Sequence, residues 1–147
     1  MNIEAIKIPM AYDRYQVPMS LRSISIFIQE EIKRLSDLTG LPGDKLPVKF
    51  DVKKKPYIAC FVYQVDPYGN GLPIEFHFDL PNLSGISPRQ LNDIIRHEFA
   101  HYVRLMRYGP HSKGNDHDEL WQQICRSFGC PPSPYHTPHR TKMIHYN

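Results

Sequence analysis

No segment of this sequence has the ~20 consecutive apolar residues that a membrane-spanning helix needs. The first twenty residues, MNIEAIKIPMAYDRYQVPMS, also lack the continuous apolar core of a secretory signal. The expectation is a soluble protein without membrane contact, intracellular and not secreted, in the cytoplasm or associated with a nucleoid or nucleus. Cysteine is scarce as well. Cys60, Cys125 and Cys130 are odd in number and contain no Cys-x-x-Cys pair, which argues against a disulfide framework and a four-cysteine zinc ribbon. They read as small buried residues in a reducing compartment. A strong charge of one sign is missing too, since 18 Lys and Arg against 15 Asp and Glu leave a formal net charge of +3. That balance permits contact with DNA without demonstrating it. The one concentrated basic run, Lys53-Lys54-Lys55-Pro56, reads as the solvated turn of a hairpin in preference to a phosphate grip. Internal repeats and low-complexity segments are absent, and 147 residues with 41% hydrophobic content suit one domain with its own core. The expected layout is a single domain over 1–147, with an irregular N-terminus at 1–19 and a Pro/His-rich tail at 131–147.

Histidine, by contrast, is plentiful, and two of the eight fall in His97-Glu98-Phe99-Ala100-His101. Residues four apart on a helix point the same way, so both imidazoles can bind one Zn²⁺ while Glu98 serves as general base. The surrounding helix is well marked. Ser87-Pro88-Arg89-Gln90 supplies an N-cap serine, a proline at the first helical position and the glutamine of a capping box. Leu91, Ile94, Ile95, Tyr102, Leu105 and Met106 recur at helical spacing until Gly109-Pro110 stops the run. Glu98 and His101 fall within or beside that apolar stripe, where polar groups are costly unless a metal or hydrogen bonds compensate them.

Upstream, Leu21, Ile24, Ile28, Ile32 and Leu35 trace an amphipathic helix over about residues 20–38, capped by Ser20. The period then changes to two. Val48, Phe50 and Val52 alternate with charged residues in a half-buried strand, and Tyr57 to Val65 is apolar on both faces except at Gln64, as in a central strand. After the turn-forming Asp66-Pro67-Tyr68-Gly69-Asn70-Gly71, a third strand runs from Ile74 to Leu80, with His77 on its polar, solvent-facing side. Short connections favour antiparallel neighbours, so the expected class is α+β with a small three-stranded, mostly antiparallel sheet. Pro131, Pro132, Pro134 and Pro138 rule out regular helix in an irregular tail.

A catalytic zinc site normally has three protein ligands and one open position. Downstream candidates for the third are His111, His117, His136, His139, His145 or a carboxylate. His111 sits in a loop between Pro110 and Ser112. His117 is favoured, because Asn115 or Asp116 can cap a helix there whose stripe is Leu120, Trp121, Ile124 and Phe128, ending at Gly129. His117 and Trp121 would then share one packed face. Asp93 and Asp116 are candidate hydrogen-bond partners for the ligands.

The pattern His97-Glu98-x-x-His101, followed after fifteen residues by His117-x-x-x-Trp121, resembles the SprT-like zinc metallopeptidases. Tyr135-His136-Thr137-x-His139 is similar to the segment after the third ligand in Spartan-like members, and the likeness covers roughly residues 20–145. The resemblance implies a zincin-like core, one Zn²⁺ per chain and hydrolysis of protein or peptide substrates, including DNA-bound or DNA-crosslinked proteins. It also makes Tyr135 and His136 candidates for binding the oxyanion or substrate. Two departures stand out: His117-Asp118 replaces the His-Gly of many members, and the cysteine pairs of their second zinc subdomain are absent from these residues. Two rival expectations are a zinc-stabilised nucleic-acid-binding module without significant hydrolysis, and a regulatory peptidase with one dedicated protein substrate.

Overall fold

The computed structural model describes residues 19–132 and, as backbone alone, 140–145. It is mixed α and β, as expected. Helix α1 (Leu21–Thr39) begins at Ser20, whose side chain accepts from the Ser23 N–H, and ends at Gly40 with φ of 72°. A 3-10 turn (Gly43–Lys45) leads into strands β1 (Val48–Asp51), β2 (Ala59–Val65) and β3 (Gly71–Asp79). A single turn of helix, α2 (Leu80–Leu83), precedes α3 (Pro88–Tyr108), α4 (Glu119–Phe128) and strand β4 (Arg140–His145). Among the described residues no helix is long and apolar enough to cross a membrane.

The sheet corrects the expected one. It has four strands in the order β1-β3-β2-β4. Only β2 and β3 are antiparallel, while β1 runs parallel to β3 and β4 parallel to β2. The reason lies in residues 52–58, which hold the basic run and were expected to form a hairpin turn. Seven extended residues reach ~24 Å, well beyond the ~10 Å that separates alternate strands. The segment therefore skips one strand position, and β3 fills the gap by returning through the tight turn at 66–70. β2 is central, as its two apolar faces suggest. The tail is less irregular than expected: its prolines all precede residue 140, and the proline-free 140–145 adds β4. Residues 1–18 and the candidates Tyr135, His136 and His139 lie outside the described residues.

One face of the sheet packs against α1 and α3. Phe61, Tyr63, Phe76 and Phe78 from the strands meet Phe99 and Tyr102 of α3, with Phe76 and Phe99 stacked at 6.1 Å and Tyr102 edge-on to Phe61 at 5.9 Å. The 3-10 turn closes on this layer so tightly that a Cβ at Gly43 would come within 2.6 Å of the Phe99 ring. Burial of these aromatics fixes the depth of α3 against β2. His77 is not simply solvent-facing. It sits four-fifths buried between Asp51 (3.6 Å) and Glu75 (3.1 Å), so the polar strand face is a cluster of carboxylates around an imidazole across β1 and β3.

Candidate metal centre

The capping box forms as the sequence predicts: Ser87 accepts from the Gln90 N–H, and the Gln90 side chain accepts from the Ser87 N–H. From that start, helical periodicity carries His97, Glu98 and His101 into the interior, where they are 5%, 0% and 3% exposed. Buried imidazoles and a buried carboxylate need compensation. The structure brings one further histidine to them, His117. Its Nε2 lies 3.4 Å from Nε2 of His97, which lies in turn 3.3 Å from Nε2 of His101.

Those separations test whether the residues fit a metal. Zinc–nitrogen bonds of ~2.0–2.1 Å at tetrahedral angles place neighbouring nitrogens ~3.3–3.4 Å apart. Among the described residues the three histidines are the one group able to hold an ion. The donor set fits Zn²⁺, and three ligands of a tetrahedron leave a fourth position.

The third histidine arrives by a different route from the one expected. Helix α4 is capped by Asp118, whose carboxylate accepts from the Trp121 N–H at 3.0 Å, so His117 precedes the helix and does not ride on it. An N-cap residue takes extended dihedrals and folds its side chain back onto the first turn, which Asp118 does while Arg104 holds the same carboxylate. Gln122 donates to the His117 carbonyl at 3.0 Å. Asp116 lies 3.4 Å from Nδ1 of His117, which therefore carries the proton and turns the Nε2 lone pair toward the other two imidazoles. The hydrogen bond to His117 holds the Asp116 carboxyl below its usual range, against the opposing effect of burial.

Trp121 forms the floor. Its ring centroid is 4.6 Å from that of His97, 5.1 Å from that of His101 and 4.5 Å from that of His117, and it stacks on His101 within 19°. The indole N–H points at the His97 carbonyl at 3.4 Å. Glu98 is pushed well above the ordinary carboxyl range, chiefly by burial and further by the Asp116 charge, while the Phe61 backbone N–H works the other way.

His111 is elsewhere: Nδ1 donates to the Ser112 carbonyl and Nε2 accepts from the Tyr63 hydroxyl, both at 2.8 Å. Two arginines that sequence reasoning missed hold the two helices together. Arg96 reaches the Phe128 carbonyl at 2.6 Å at the end of α4, and Arg104 grips Asp118 at its start. Arginines immediately before His97 and three residues after His101 were the available signal. Compared with protein-family models, curated proteins and solved structures, the chain matches none.

Proposed function

We propose that this protein is a zinc-dependent metallopeptidase. One observation carries the reading: three imidazole nitrogens within 4.8 Å of one another, His97 at the tetrahedral-edge spacings of 3.3 and 3.4 Å from the other two, with a fully buried glutamate on the same helix as two of them. His97, His101 and His117 would hold the ion. Bound there, Zn²⁺ would polarise a scissile carbonyl and acidify water at neutral pH. Neutral histidines suit that task because they leave the ion's charge uncompensated.

Glu98 takes the proton of the attacking water on a carboxylate oxygen and passes it to the leaving amine. A carboxyl whose pKa burial has raised accepts that proton more readily than an exposed one. The glutamate also weighs against a purely structural site, which needs no carboxylate there and normally closes with a fourth protein ligand. Proteins bound or crosslinked to DNA are the substrate class suggested by the sequence resemblance.

The test is metal analysis and proteolysis of wild type and Glu98→Gln on casein and on a DNA-binding protein, with and without single-stranded DNA. About one zinc per chain in both, with cleavage lost only in the variant, is the expected result. Metal-free protein after purification without chelators, or undiminished cleavage by Glu98→Gln, overturns the reading. Cleavage only with DNA supports the DNA-bound substrate class, and DNA-independent cleavage replaces it with a general or regulatory peptidase.

A further inference from the structure

The third ligand poses a mechanical problem. His117 lies outside α4, so the helical hydrogen-bond ladder does not fix its backbone. Its neighbour is fixed far more firmly. Asp118 takes Nε of Arg104 at 3.1 Å on both carboxylate oxygens and Nη2 at 2.8 Å on Oδ2, a forked pair whose side chains are only 15% and 9% exposed. The same arginine spends Nη1 on the Gly109 carbonyl at 2.8 Å, tying the fork to the end of α3.

His101 and Arg104 are three residues apart on α3 and so share a face, while His117 and Asp118 are consecutive. Two rungs therefore join the same pair of segments. One is the imidazole pair His101 and His117, and the other, about one helical turn along, is the ion pair Arg104 and Asp118. A planar guanidinium fork admits essentially one orientation of the carboxylate it holds. Fixing residue 118 in this way limits the positions open to the imidazole at 117.

We propose that the Arg104–Asp118 ion pair is the positioning unit of the metal centre, setting His117 in its ligating place before any metal arrives. This rests on the zinc reading above. The pair acts through His117 and touches neither ion nor substrate. Its removal should lower zinc affinity while leaving the apo fold in place.

The test is zinc competition against a chromophoric chelator, with Co²⁺ absorption as a report on ligand geometry and circular dichroism of the apo proteins as the control for folding. Asp118→Asn keeps an N-cap acceptor and loses the charged fork. It is expected to bind zinc about 10–100-fold more weakly, the range typical for loss of a ligand's supporting partner. Arg104→Gln should match it, the double variant should be no worse than either single one, and Arg104→Lys should fall between. Lys33→Gln, which breaks the exposed Lys33–Asp37 pair on α1, should bind as wild type. Wild-type affinity and an unchanged Co²⁺ spectrum in Asp118→Asn and Arg104→Gln overturn the positioning role and leave the zinc reading intact. Zinc bound by wild type without cleavage of any substrate overturns the peptidase reading alone. A wild-type chain that takes up neither Zn²⁺ nor Co²⁺ overturns both.

Discussion

Nε2 of His97 and Nε2 of His117, twenty residues apart in the chain, lie 3.4 Å from each other, while His111, between them in sequence, faces Tyr63. The two downstream histidines should therefore behave oppositely on substitution. His117→Ala is expected to lose stoichiometric zinc under dialysis against a mild chelator, and His111→Ala to retain it. Equal retention by both variants would remove His117 from the ligand set.

Trp121 is fully buried and touches all three imidazoles, so its truncation acts on stability and on the site at once. Trp121→Ala should lower unfolding free energy by about 3–5 kcal/mol, read from denaturant midpoints of the apo protein. A loss within ordinary surface values would mean that the ring is not the floor of the site.

Glu31 on α1 and Arg96 on α3 form an ion pair at 3.3 Å with side chains 1% and 3% exposed. Removing one partner strands the other charge away from water. Glu31→Leu should therefore cost about 3–5 kcal/mol, whereas Glu31→Leu with Arg96→Leu should cost less than the sum of the singles. Chemical unfolding of the three variants settles it, and strict additivity would show that the two charges do not interact.

Base sensitivity follows from two buried phenols. Burial pushes Tyr63 and Tyr102 up to about 12 from the ordinary 10.0, with Asp116 and Asp44 respectively adding to the rise. A raised folded-state pKa contributes stability that is complete below pH 10 and is lost as pH rises toward 12, because only the unfolded chain ionises in between. Tyrosinate absorbance should show a component that ionises only well above pH 10, together with unfolding, and that shrinks in Tyr63→Phe and in Tyr102→Phe. Titration of all nine in the folded state near pH 10 would contradict the burial of these hydroxyls.

The local parts of this molecule were legible in the chain. Ser20, Ser87 with Gln90, Gly109 and Gly129 mark helix ends through hydrogen bonds and dihedrals a few residues long, and the structure has each where expected. The spacing of His97 and His101 is likewise a property of a single helix. What was missed depends on distant partners. Whether β1 pairs with β2 or β3 is decided by how far residues 52–58 stretch, which no periodicity records. Asp118 displaced Asp116 as the cap of α4 because an arginine fourteen residues upstream holds its carboxylate. The contact of Asp116 with His117 was open to a local reading, and the sequence did suggest that aspartate as a partner.

The stacking of Trp121 beneath His101 has a use beyond packing, since it is the chain's one tryptophan. Ultraviolet emission excited through the indole thus originates from a single point, in van der Waals reach of all three imidazoles. Filling the centre with Zn²⁺ should shift the brightness of that emission, and an open-shell ion such as Co²⁺ should quench it. On the zinc reading, that single indole would serve as an unlabelled gauge of occupancy, readable in real time in a cuvette.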